Sequence, residues 1–283
     1  MGNKSYPVIL LTALLLLSAF LFVPLAHGSS DTYVFLVHGY SFTGSTNAFS
    51  GWQSGTDIYQ ELVNAGYIVG VVSYYGTFTI YFSNGYTFQD PNFVGNHNTP
   101  IESIAGEFAY ALNTVFKGQN INADIIGHSM GGLVTMYMLE NYRLPINLEN
   151  VISIESPFDG SPFAQLASYL GFITGYQASE MQTGSSFLTN LQNNQYNISL
   201  NYPSAVLVLY AGNYDPWWGY LFFSGGNDGV VSDASASDII YNYYYVFPVL
   251  HVSSLDWLTY SGVAYNEYPA VSQTIMNNLA GIY

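Results

Sequence analysis

The sequence predicts a single α/β domain: a mostly parallel central sheet with helices on both faces and a lid or cap insertion. Three observations carry that prediction. Short apolar runs alternate with segments of helical periodicity along most of the 283 residues, the pattern of strands joined by crossover helices. A serine stands between glycines in Gly127-His128-Ser129-Met130-Gly131-Gly132, where a buried strand gives way to a helix. Two long stretches, Phe78 to Asn98 and Pro162 to Pro203, fall outside the rhythm and are rich in Gly, Asn and aromatic residues. They are expected as loops over a site, the second of them forming the lid.

The elements follow in order. Lys4 precedes an apolar run from Val8 to Val23, then Pro24 and the small-residue site Ala26-His27-Gly28. This pattern predicts a secretory signal over residues 1–28, cut after Gly28, and a folded domain over 29–283. The competing reading is an uncleaved anchor, because the run of sixteen residues approaches the ~17 to 25 that span a bilayer. Thr32 to Val37 reads as a buried strand feeding the loop His38-Gly39-Tyr40, Asp57 to Ala65 as a helix stopped by Gly66, and Tyr67 to Tyr74 as another strand. Thr99-Pro100-Ile101-Glu102 has the form of a capping box with proline at the first helical position, and Ile101, Ile104, Phe108, Leu112 and Val115 recur at helical spacing. Ala123 to Ile126 is the strand before the serine, and the helix after it runs to about Asn141. Strands at Val151 to Ile154 and Ala205 to Tyr210 come next, and Tyr243-Tyr244-Tyr245 reads as a late strand. A helix from Asn266 through Ala280 has Val271, Ile275 and Leu279 on one face.

Composition narrows the function classes. There is no cysteine, so an exported chain of this kind draws its stability from burial and packing alone. Lys4, Lys117 and Arg143 are the only Lys and Arg against 18 acids, a formal charge of −15 at neutral pH. Such a surface repels nucleic acid and anionic membranes. Charged residues make up only 7% of the chain, so when carboxylates protonate in acid few cations remain to repel one another. The composition therefore points to an acidic extracellular habitat, with surface drift in a neutral-pH secreted protein as the alternative.

A serine hydroxyl is a weak nucleophile until a base takes its proton, and the base needs an acid to hold its tautomer. Ser129 is the candidate nucleophile, because the glycines at 127 and 131 permit a tight, strained turn that lifts its oxygen clear of the sheet. Among the histidines, His27 leaves with the signal, His128 is expected to point away from the serine, His97 lies in a long loop, and His38 ends the first strand. His251 follows the late tyrosine-rich strand and completes the chain order serine, acid, histidine. The acid is Asp228, in the Gly-rich turn Gly225-Gly226-Asn227-Asp228-Gly229, or its rival Asp215, which comes directly after the strand ending near Tyr210. Backbone N–H groups of Met130, next to the nucleophile, and Tyr40, in the loop opened by Gly39, are the expected oxyanion donors.

Those segments resemble secreted lipases and esterases of the α/β-hydrolase superfamily. The likeness runs through His38-Gly39, Gly66-Tyr67, the serine turn, Glu155-Ser156-Pro157-Phe158-Asp159-Gly160-Ser161-Pro162, which is similar to the T-P-H-x-G-S-P stretch of bacterial lipases, Gly184 to Leu188, and Asn227 to Val231. It departs at Phe158-Asp159, where lipases carry a histidine and a basic or small residue. The resemblance implies an α/β-hydrolase fold and cleavage of lipid or other acyl esters through an acyl-enzyme; the chemistry requires no cofactor, no residue is assigned as a metal ligand, and calcium, found in some relatives, stays open. Thioesterase, amidase and polyester depolymerase share the machinery, and an inactive cell-surface binding module shares the fold. Leu166, Leu170, Phe172 and Ile173, with Trp217, Trp218, Leu221, Phe222 and Phe223, are read either as core or as the lining of an acyl pocket in transient contact with a lipid surface.

Overall fold

The computed structural model describes residues 32–41, 47–162, 165, 175–252 and 262–283. The segment 1–28 expected as a signal, and Leu166, Leu170, Phe172 and Ile173 of the expected lid, lie outside them. Eight strands form one sheet: β1 (Thr32–Val37), β2 (Ile68–Ser73), β3 (Gly76–Phe82), β4 (Thr87–Gly95), β5 (Ile121–His128), β6 (Ile146–Ile154), β7 (Val206–Gly212) and β8 (Tyr243–Phe247), in the order β4-β3-β2-β1-β5-β6-β7-β8. The six strands from β2 across to β8 are parallel, and β3 and β4 add an antiparallel hairpin at one edge.

Period-2 alternation sends β1 to two cores. Phe35 and Val37 pack with the helices Ile101–Val115 and Met130–Asn141 on one face, and Val34 and Leu36 pack with Trp52, Ile58, Leu62 and the helix Pro269–Leu279 on the other. The helix Met130–Asn141 is buried on nearly all sides, which is why its apolar residues run around it rather than along one stripe. The sheet thus has helices on both faces, as a mostly parallel sheet requires.

Two expectations need correction. The stretch Phe78 to Asn98 is not a site loop but the hairpin of β3 and β4, because Phe78, Ile80 and Phe82 alternate into the core and Asn84-Gly85 turns the chain, with Gly85 at φ +89°. The box at Thr99 does not form. Pro100 takes the N-cap position without a side-chain cap, Thr99 Oγ1 accepts instead from the Asn96 N–H at 3.0 Å, and the Ile101 N–H donates to Glu180 Oε2 at 3.0 Å. A distant carboxylate does the work of the local one.

In the stretch expected as a loop from Pro162 to Pro203, the described part is helical at Tyr176–Glu180, Ser186–Asn194 and Tyr196–Asn201. Phe187, Leu188, Leu191 and Ile198 seat it in the same core as the helix Met130–Asn141. Gln177 ties it to the body, donating to the carbonyls of Asn96 and Thr99 at 2.9 and 2.8 Å and accepting from Tyr75 Oη at 2.8 Å.

Candidate active site

β5 ends at His128 and the next helix starts at Met130, so Ser129 alone makes the turn, at φ 54° and ψ −126°. A non-glycine residue rarely holds this backbone. The Ser129 N–H is anchored to the Ile154 carbonyl at 2.8 Å. The flanking glycines are required by close approach: a Cβ at Gly127 would lie 2.7 Å from the Gly131 backbone, and one at Gly131 would collide with the carbonyls of Val37 and His38.

His251 lies within hydrogen-bond distance of both neighbours. Nε2 is 2.9 Å from Ser129 Oγ and Nδ1 is 2.8 Å from Asp228 Oδ2, with all three residues buried. Asp228 is oriented by two further bonds, since its Oδ1 accepts from the N–H groups of Val230 and Val231 at 2.8 and 2.7 Å. The His251 N–H bonds the Asp228 carbonyl at 3.1 Å, which ties the two loops together. The rival Asp215 is elsewhere: at φ 51° its carboxylate accepts from Asn227 N–H and Nδ2 at 3.0 and 3.1 Å, bracing the turn that carries Asp228.

The expected oxyanion donors flank the serine. Met130 opens the helix, so its N–H is among the four without an intrahelical acceptor, and the loop of Tyr40 passes Ser129 so tightly that a Cβ on Gly39 would lie 2.8 Å from the serine Cβ. Tyr40 stacks on His97 with ring centres 5.1 Å apart. His38 is a packing residue, stacked on Tyr74 at 3.9 Å, and burial pulls its pKa down to about 4.

His128 lies beside His251. Its ring stacks on Tyr265 at 4.1 Å and lies 4.9 Å from the His251 ring. Glu155, the residue after β6, was not among the expected site residues, yet its Oε2 sits 3.5 Å from both His128 Nε2 and His251 Nδ1. The available signal was its place, a carboxylate directly after the strand beside the serine's own. Ligand atoms of His128, Glu155 and His251 come within 4.8 Å of one another, but both ring nitrogens of His251 already face Ser129 and Asp228, so a cation here would have to displace one of those contacts.

Of the expected pocket lining, Trp218 and Phe223 are buried, whereas Trp217 and Leu221 are 68% and 74% exposed. Phe222 and Phe223 line, with Pro162 and Asp233, a cleft of about 300 Å³ beside the turn that carries Asp228. Phe158, where the resemblance to lipases breaks, is fully buried.

The profile of the family described as alpha/beta hydrolase of unknown function (DUF915) matches residues 70–214. The chain belongs to this family. The matched range of this alpha/beta hydrolase runs from β2 to just past β7 and includes Ser129 and Glu155, while Asp228 and His251 follow it. No curated protein matches the hydrolase in sequence. Among solved structures it is similar to phospholipase PlaB from Legionella pneumophila, at 16% identity and a TM-score of 0.53, over 87% of this chain and 63% of that one. It is similar to Bacillus licheniformis lipase BlEst2 in its propeptide form, at 19% identity and a TM-score of 0.52, over 83% of this chain and 51% of that one. A gene product of Listeria innocua shares 16% identity at a TM-score of 0.52, over 90% of this chain and 96% of that one. The hydrolase therefore spans less than two thirds of PlaB and about half of the BlEst2 propeptide form, and what it shares with all three is the fold.

Proposed function

We propose that this protein is a serine hydrolase of carboxylic esters, with lipid or other acyl esters as substrates, acting through an acyl-enzyme on Ser129. The observation that carries the reading is the unbroken chain Ser129 Oγ, His251 Nε2, His251 Nδ1, Asp228 Oδ2, with successive contacts of 2.9 and 2.8 Å. Ser129 Oγ attacks the ester carbonyl while its proton passes to His251 Nε2. The oxyanion that forms is held by the N–H groups of Tyr40 and Met130, and His251 returns the proton to the leaving alkoxide. Water, deprotonated by the same imidazole, then releases the acid and restores Ser129. None of these steps calls on a cofactor.

The names of PlaB and BlEst2, a phospholipase and a lipase, put acyl esters first among the substrates to try. The exposed Trp217 and Leu221 support transient contact with a lipid surface, and the apolar run Val8 to Val23 followed by the small-residue site Ala26-His27-Gly28 supports export to the outside of the cell. The deciding experiment is labelling with a fluorophosphonate, followed by turnover of p-nitrophenyl esters of increasing acyl length, with a thioester and an amide alongside. An adduct on Ser129 with ester turnover is expected. A folded protein with neither would be a binding module, and labelling with preference for the thioester or amide would reassign the substrate class.

A further inference from the structure

β6 lies beside β5, and the residue that follows it, Glu155, takes a left-handed backbone at φ 53°. It is only 1% exposed, and both of its carboxyl oxygens, like His128 Nε2, are buried without a hydrogen-bond partner. The glycine that ends β7 makes the room, since a Cβ at Gly212 would collide with Glu155 Oε1 and come 2.7 Å from Asp228 Cβ. Two carboxyl groups therefore share the Nδ1 side of one imidazole, Asp228 at 2.8 Å and Glu155 at 3.5 Å.

A buried carboxylate with no donor is expensive, and a second charge beside Asp228 adds repulsion. Burial first, and Asp228 second, push Glu155 well above the ordinary carboxylate range, while burial and His251 push His128 well below the ordinary imidazole range. The titratable groups facing Glu155 are His128 at the end of β5, Asp228 before β8, His251 after it and Tyr265 on a 3₁₀ turn, with His38 acting on His128. Among the described residues no Lys or Arg pairs with any of them.

We propose that Glu155 is a positioning residue of the triad, a second acid on the Nδ1 side of His251. It is held as a neutral carboxylic acid against His128 while Asp228 carries the charge, and it takes over the Nδ1–H contact when Asp228 is neutralised. The proposal rests on the serine-hydrolase reading above. In the working enzyme a single carboxylate faces the imidazole, so no second charge favours the imidazolium over the neutral base. In Asp228→Asn the repulsion is gone, and Glu155 gives up its proton to solvent as the pH rises. Its carboxylate then accepts Nδ1–H, which restores the tautomer whose Nε2 lone pair faces Ser129.

The test compares wild type, Asp228→Asn and Asp228→Asn/Glu155→Gln, by fluorophosphonate labelling of Ser129 and by kcat/KM on a p-nitrophenyl ester from acid to alkaline pH. In acid both variants should lose on the order of 10⁴ in rate. Above neutrality Asp228→Asn should recover about tenfold or more relative to the double variant. Attack by hydroxide is common to both and cancels in the comparison. Parallel profiles for the two variants would overturn the proposal. Should the double variant not fold by circular dichroism, Glu155→Asp in the Asp228→Asn background takes its place, its carboxyl one methylene short of Nδ1. Retention of the recovery there would overturn the proposal as well. Wild type that leaves Ser129 unlabelled defeats the hydrolase reading and this proposal with it, whereas labelled wild type with parallel profiles defeats this proposal alone.

Discussion

Gly39 runs so close to Ser129 that a Cβ added to it would lie 2.8 Å from the serine Cβ. Each Cβ is bonded directly to its own Cα, so neither can swing aside as the tip of a long side chain would. Gly39→Ala should therefore displace the loop that carries the Tyr40 N–H. A fall in kcat of about 10² to 10³ is expected, the usual cost of one oxyanion donor, with KM and the far-ultraviolet circular dichroism little changed. Unaltered kcat would remove Tyr40 from the oxyanion site.

The two candidate acids of the β7–β8 connection, Asp215 and Asp228, should separate cleanly. Asp228→Asn removes the acceptor for Nδ1–H and is expected to lower kcat by about 10⁴ below neutral pH with KM nearly constant. Asp215→Asn touches only the bonds to Asn227, so its effect on kcat should be far milder and should appear instead as a lower melting temperature. Steady-state kinetics on both variants check the ranking, and the reverse order would move the acid to Asp215.

The pH dependence of stability should run opposite to that of an ion-paired protein. Burial pushes Asp124 and Glu180 up to about 7 and Glu140 up to about 8, above the ~4 of carboxyls in an unfolded chain. The native state then binds more protons than the unfolded one between these values. The contribution is full below about pH 4 and is lost as the pH rises through 7 to 8. Melting temperatures measured from pH 3 to 9 should fall across that window, and Glu140→Gln should flatten the fall. A melting temperature that climbs from pH 4 to 8 would contradict it.

Activity should take the other direction. A triad base must be uncharged to accept the serine proton, so kcat/KM is expected to drop on acidification while the fold holds. Circular dichroism and kcat/KM recorded together from neutrality to about pH 2, below the reference carboxylate values, check this. Loss of structure on mild acidification would refute the acidic-habitat reading, and full activity at the lowest pH would refute the imidazole as base.

What was legible in the sequence was mostly what short-range rules govern. The turn at Ser129 is specified by glycines two residues away on either side, and His251 follows from chain order once the serine is placed. The hairpin of β3 and β4 was legible too, in Asn84-Gly85 between alternating aromatic and β-branched residues, but its Gly and Asn content reads equally as loop. Glu155 was hidden because its partners, His128 and His251, meet it only through the lateral alignment of β5 and β6 and the return of the chain after β8. Glu180 was hidden in the same way, capping a helix that begins 79 residues earlier.

The outer strand β4 carries a bulge opposite Thr77 and Phe78, which takes in Pro91, and Asp90 Oδ1 accepts from the Asn92 N–H at 2.8 Å. Exposed strand edges recruit other chains, and most proteins repel such recruits with charge. That defence fails for a protein whose few charges are mainly carboxylates once the medium turns acid enough to protonate carboxylates in general. A proline lacks the N–H needed for docking at any pH. The bulge at Pro91 thus keeps this edge of the sheet from nucleating aggregates under the conditions in which electrostatic repulsion is weakest.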